Sequence, residues 1–177
     1  MKNFPIPQRE DVSPANQIIF DNLKKMVGHV PNLFAIFAHS EHALGNYLTF
    51  QNGKSSINAK EREVINLVVS QYNHCIYCLA AHTAIAKLNG FTDEQVLEIR
   101  QAEISFDAKL DALAKLVKSI VEHKGHAEQK LLDNFYNAGY THGTLVEAVS
   151  VIGDKMISNY LHALTEVPVD WPAAPEL

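Results

Sequence analysis

Residues 58–90 read NAKEREVINLVVSQYNHCIYCLAAHTAIAKLNG and hold both cysteines of the chain, Cys75 and Cys78, with His82 four positions after the second. The stretch reads as two helices meeting at a dithiol. Asn58 is a good N-cap, and Glu61 stands three residues later, where a capping box places its carboxylate. Val64, Ile65, Val68, Val69 and Tyr72 then follow with helical rather than alternating spacing. A second helix begins near Cys75 and stops at Asn89-Gly90, with Gly90 suited to the C′ position. At about 100° per residue, Cys75, Cys78 and His82 fall within an arc of roughly 60° on that helix. Three reactive side chains therefore share one narrow face.

The flanking sequence extends the helical pattern in both directions. Ser13-Pro14 opens a helix with proline at its first position, Ile18, Ile19, Leu23 and Val27 give it an apolar stripe, and Gly28 ends it. Further helices are predicted over about 31–39 and 41–51, with a turn at 53–56. Thr92 caps another, Gln95 sits at its capping-box position, and it runs to about Gln101. Longer ones follow over about 107–124, 127–138 and 144–166. The tail PVDWPAAPEL has three prolines and cannot continue the last. No segment reads as a strand. The expected fold class is all-α, a single-domain helical bundle spanning 1–177, with 1–12 and 167–177 as extended arms. A faint repeat, Gly90-Phe91-Thr92 and again Gly139-Tyr140-Thr141, suggests a helical unit used twice. It admits a plainer explanation, since glycine stops and threonine caps are common punctuation. Counting the same 49 residues on from the cysteines gives Lys124 and Ala127, so only one copy would carry the dithiol.

Composition narrows the function classes. The 177 residues are 47% hydrophobic and 20% charged, with a net charge of −5 and scattered basic residues. That argues against a nucleic-acid surface and a polybasic membrane anchor. No apolar run approaches the roughly 18 residues of a membrane helix. The N-terminal MKNFPIPQRE lacks the apolar core of a signal peptide, so a cytoplasmic location is expected. In that reducing compartment, a disulfide closing so short a loop would contribute only about 2 kcal/mol, less strain. Stability is a poor reason for these cysteines.

Reactivity is a better one. A thiol with an ordinary pKa is only about 3% thiolate at neutral pH, and a helix N-terminus raises that fraction. His82, at i+4 from Cys78, is placed to exchange its proton. Glu63 lies beside the apolar stripe of the preceding helix without a structural explanation, and a carboxylate there would orient His82 by triad logic. Two other readings stay open. The cysteines could be a buried apolar pair, or Cys75, Cys78 and His82 could bind zinc with His74 or Glu63 as fourth ligand, although a second ligand pair is missing. A thioredoxin reading of CxxC needs a βαβ context that the chain lacks.

Glu63, eleven intervening residues and Cys75-x-x-Cys78-x-x-x-His82 resemble the core motif of the alkylhydroperoxidase D and carboxymuconolactone decarboxylase superfamily, over roughly residues 30–165. The resemblance implies an all-α fold with a repeated helical unit, assembled into trimers or hexamers. It implies thiol-dependent peroxidase chemistry with no cofactor and no metal, a hydroperoxide substrate and an external thiol or dithiol reductant. Position by position, Cys78 matches the peroxide-attacking cysteine, Cys75 the resolving one, and His82 and Glu63 the proton relay. The chain departs at Tyr77, where the alkylhydroperoxidase D type carries histidine. The decarboxylase branch lacks the dithiol, so its activity does not carry over. A redox sensor or scaffold with a slow dithiol is the non-enzymatic alternative. The apolar 31–39 segment, with Leu33, Phe34, Ile36 and Phe37, adds a second reason to expect a homo-oligomer.

Overall fold

The computed structural model describes residues 4–177, and among them it contains nine α-helices, one 3₁₀ turn and no strand. Two compact units carry the chain, residues 1–54 with 160–170 and residues 55–159 with 171–177.

The first unit starts with α1 (Pro14–Val27). Ser13 caps it by accepting the Asn16 N–H, and Gly28 closes it in the left-handed region at φ 89°. α2 (Asn32–Phe37) and α3 (Ala43–Gln51) follow, with the Phe37 and Tyr47 rings stacked at 4.3 Å. Two expectations change here. The predicted arm over 1–12 begins in residues outside the described ones, and it is not wholly extended. Arg9–Asp11 form a 3₁₀ turn, because Gln8 N–H donates to Asp11 at 2.8 Å while Arg9 grips the Asp21 carboxylate at 2.8 and 2.9 Å. Most of the apolar circumference of α2 is also covered within one chain, with Phe34 partly exposed. Leu33, Ile36 and Phe37 are buried, so this helix supplies no argument for a partner subunit.

The second unit is built around α4 (Ala59–Tyr72), which packs against α5 (Ile76–Leu88), α6 (Asp93–Gln101) and α7 (Ala108–Glu122). Asn58 and Glu61 form the capping box that the sequence predicts, with both bonds at 3.0 Å. Enclosure by three neighbours explains why Val64, Ile65, Leu67 and Val69 have no exposed surface. Ile99, Leu113, Leu116, Val117 and Phe135 complete this core. α8 (Gln129–Asn137) packs on α7, and α9 (His142–Thr165) contributes its residues up to Asn159.

The repeat is present as a shared junction. Gly90 and Gly139 both take positive φ, 89° and 94°, each followed by a buried aromatic, Phe91 or Tyr140. Thr92 and Thr141 then accept N–H groups from the helices they open, at 3.3 and 3.1 Å. The helices around the two junctions differ, 13 and 9 residues against 9 and 24.

Besides the capping Glu61, α4 buries three polar side chains, Glu63, Asn66 and Ser70. Burial of such groups is costly unless each finds partners, and all three lie on the approach to the dithiol.

This architecture assigns different weights to two substitutions. Phe135→Ala removes a ring with no exposed surface, stacked on Tyr140 at 4.4 Å, and is expected to cost about 3–5 kcal/mol. Asn58→Ala removes one cap and should cost about 1 kcal/mol. Urea denaturation of both variants checks the ordering.

Candidate active site

The turn between α4 and α5 sets the position of the dithiol. α4 ends with His74 in the left-handed region at φ 53°, His74 N–H bonded to Gln71 O, and Cys75 N–H bonded to Ser70 O at 3.0 Å. This is a Schellman-type stop made without glycine. It delivers Cys75 as the N-cap of α5, where its Sγ accepts the Cys78 N–H at 3.3 Å. Cys78 is thus the third residue of the helix. Both are buried free thiols, and Tyr77 between them is buried as well.

The two sulfurs are not equivalent. A hydrogen bond from the Cys75 thiol holds the Cys78 pKa below its ordinary value. The Lys155 charge, Asn159 and Ser158 act in the same direction, and together they outweigh burial. The same bond, with burial behind it, pushes the Cys75 thiol far up. Of the two sulfurs, Cys78 is therefore the more readily ionised and Cys75 the one that holds its proton. The dipole of α5 favours the same charge at that end.

Glu63 on α4 meets His82 on α5 at 2.8 Å through Nδ1, and its other oxygen accepts from Asn66 Nδ2 at 3.0 Å. Burial pushes the Glu63 carboxyl up, but His82, Lys155 and Asn66 outweigh it, so it stays ionised. The other ring nitrogen, Nε2, lies 2.8 Å from Lys155 Nζ on α9. An ammonium only donates, so Nε2 is the lone pair and Nδ1 carries the proton given to Glu63. Burial, and after it the Lys155 charge, hold the His82 pKa below the ordinary histidine value against the pull of Glu63. The ring is neutral.

All four residues expected from sequence, Glu63, Cys75, Cys78 and His82, belong to this one cluster. What differs is the link between them. His82 makes its hydrogen bonds to Glu63 and Lys155, not to Cys78. A second set of residues, Asp154, Lys155, Ser158 and Asn159 on α9, is absent from the sequence analysis, although all are buried. Lys155 is 2% exposed, with Asp154 at 3.9 Å. Asn159 is fixed by Asn73 at 2.9 Å and Ser70 at 3.3 Å, which ties α9 to the residues just before Cys75.

The zinc alternative gains no ligand set. Among the described residues, no group of three or more His, Cys, Asp or Glu side chains is arranged to hold a metal ion. His74 is exposed, and Glu63 is engaged with His82 and Asn66.

With this geometry in view, the comparisons are specific. Residues 39–119 match the model of the carboxymuconolactone decarboxylase family. Over that stretch the chain is similar to carboxymuconolactone decarboxylase family proteins. The matched stretch includes α4, α5 and the whole E-x₁₁-CxxC-x₃-H pattern. No curated protein is similar enough in sequence to match. Among solved structures, an uncharacterized peroxidase-related protein from Silicibacter sp. TM1040 superposes with a TM-score of 0.82 at 20% identity, covering 94% of this chain and 89% of that one. The alkylhydroperoxidase AhpD core of an uncharacterized peroxidase-related protein from Ralstonia eutropha JMP134 gives 0.86 at 16% identity, covering 95% and 92%. The debrominase Bmp8 gives 0.79 at 15% identity, covering 96% and 93%. At these identities the likeness is one of fold, and the all-α, AhpD-like architecture expected from the family core is what the chain adopts.

The neutral, buried His82 has a consequence for stability. Below the ordinary histidine pKa, the unfolded chain binds a proton that the folded chain refuses at His82. Stability is therefore present above that value and falls with falling pH, by up to about 1.4 kcal/mol per pH unit for one such group. His162, lowered first by burial, acts with the same sign. Urea midpoints at about pH 7.5 and about pH 5.5 should show the loss, and His82→Gln should reduce it.

Proposed function

We propose that the chain is a cofactor-free, dithiol-dependent hydroperoxide reductase. The observation that carries this reading is the asymmetric dithiol, in which Cys78 is favoured as thiolate by Cys75, Lys155, Asn159 and Ser158 while Cys75 keeps its proton. A thiolate beside a protonated thiol is the arrangement a two-cysteine peroxidase needs. Cys78 attacks the hydroperoxide and becomes a sulfenic acid. Cys75 condenses with it to a disulfide, releasing water, and an external thiol or dithiol reopens the bridge. Glu63 and His82 form, with Lys155, the buried hydrogen-bonded line beside the dithiol. The family core and the two peroxidase-related structural neighbours support an enzyme of this class. No helix among the described residues is long and apolar enough to cross a membrane, which accords with the proposed cytoplasmic, reducing setting.

A homo-oligomer, trimer or hexamer, is part of the same proposal. Its support in this chain is α9, whose Val146, Val149, Ile157, Tyr160 and Leu164 are exposed at helical spacing. Light scattering at micromolar concentration should return a multiple of the 19.7 kDa chain mass, and a monomer would remove this part.

Stopped-flow mixing of reduced protein with an organic hydroperoxide tests the chemistry. The first oxidation should be at least about a hundredfold faster than for a free thiol, as expected of a positioned and activated nucleophile. Cys75→Ser should trap Cys78 as a sulfenic acid, and Cys78→Ser should react no faster than an unactivated cysteine. Rapid sulfenylation of Cys75 in the latter would reverse the assignment. Disulfide formation without multiple turnover, with any dithiol donor, would favour the redox-sensor alternative.

A further inference from the structure

Lys155 has no counterpart in the E-x₁₁-CxxC-x₃-H pattern, yet it is among the most deeply buried side chains near the dithiol. Its side chain is 3% exposed, and its Nζ lies 2.8 Å from His82 Nε2. Burying a lysine is costly unless it is paired, and here the His82 ring supplies the partner. Of the three N–H bonds of the ammonium, the imidazole takes one. Asp154, at 3.9 Å, is beyond hydrogen-bond reach. The Lys155 charge acts on both sulfurs of the dithiol. His82 is meanwhile committed at both nitrogens, to Glu63 and to Lys155. Its lone pair is filled by Lys155 and is not open to a thiol proton.

We propose that Lys155, held in place by the Glu63–His82 pair, is the residue that takes up the Cys78 thiol proton and returns it during turnover. This rests on the reading of Cys78 as the attacking thiol. The groups that face Lys155 are Asp154 on its own helix, His82, Cys75 and Cys78 on α5, and Glu63 on α4. His82 acts as a positioning residue. Glu63 fixes the Nδ1–H tautomer, which leaves Nε2 to orient the ammonium.

The steps balance. In the resting state Cys78 is a thiolate and Lys155 an ammonium. The sulfur attacks the distal oxygen of ROOH, an S–O bond forms as O–O breaks, and Lys155 gives its proton to RO⁻. The products are Cys78 sulfenic acid, ROH and a neutral amine. The amine then takes the Cys75 proton. The Cys75 sulfur displaces hydroxide from Cys78, and Lys155 returns the proton to make water. A dithiol reductant supplies two electrons and two protons, one restored to Cys75 and one to Lys155. The reductant leaves as its own disulfide.

Iodoacetamide labelling reads the thiolate without involving peroxide. The rate of Cys78 alkylation is followed by peptide mass spectrometry across pH in the full-length protein. Wild type should keep its reactivity well below the ordinary thiol pKa. Lys155→Met should move the midpoint up by about one pH unit or more, as loss of a nearby cation does. Lys155→Arg keeps a charge but not a transferable proton. It should hold the midpoint near wild type while slowing hydroperoxide reduction by about a hundredfold or more, the usual size of general acid–base catalysis. His82→Gln should move the midpoint less than Lys155→Met. If Lys155→Met does not fold, Lys155→Gln takes its place. An unchanged midpoint without the lysine, a larger shift in His82→Gln, or full peroxide activity in Lys155→Arg would each overturn the proposal. If wild type alkylates as expected but ignores hydroperoxide, the peroxidase reading fails and the proton assignment to Lys155 is still decided by the labelling.

Discussion

The line Glu63–His82–Lys155 is the interaction on which the rest of the second unit depends. Its two contacts are 2.8 Å each, and its members come from three helices, α4, α5 and α9. A buried carboxylate or ammonium left without a partner costs several kcal/mol. The three helices must therefore meet in one register, to within hydrogen-bond tolerance. Apolar packing of α4 against α5, α6 and α7 supplies the bulk of the stability, but it would tolerate small slips that this line does not. The polar residues inside α4 follow from the same constraint. Asn66 braces Glu63, and Ser70 receives Asn159, so beyond the capping Glu61 the buried polar side chains of that helix serve the site rather than the core.

The dithiol takes its asymmetry from this frame. Cysteine is an unusual N-cap, and Asp, Ser or Asn would stabilise the helix better. In exchange, Cys75 occupies the one position from which its sulfur can meet both the Cys78 N–H and the Cys78 sulfur. The α9 residues stand around the other sulfur. The surroundings of Cys78 are thus a property of three helices, although the CxxC-x₃-H run itself lies on one.

Much of this was legible in the sequence where the cause was local. Ser13, Asn58 with Glu61, and Thr92 with Gln95 cap helices as their spacing predicts, because capping is decided within four residues. Glu63 could be singled out because a carboxylate beside an apolar stripe needs an explanation. The α4–α5 stop was less plain, since His74 takes a conformation usually signalled by glycine. Lys155 was not legible. It lies 73 residues from His82, and Asp154, Lys155, Ser158 and Asn159 form the polar stripe of a long helix, which by periodicity alone faces solvent. The structure inverts that expectation. The polar stripe is buried on the dithiol, and apolar residues such as Val146 and Leu164 face outward.

The central claim is that Cys75 and Cys78 act as one two-electron redox unit within a single chain. Intact-mass and peptide mass spectrometry of reduced protein, after one equivalent of an organic hydroperoxide, tests it most directly. The account predicts the loss of two hydrogens per chain, a single Cys75–Cys78 cross-linked peptide, and full return of the original mass on adding a dithiol. A stable gain of oxygen on Cys78 with Cys75 still reduced, a disulfide between chains, or no change in mass would contradict it.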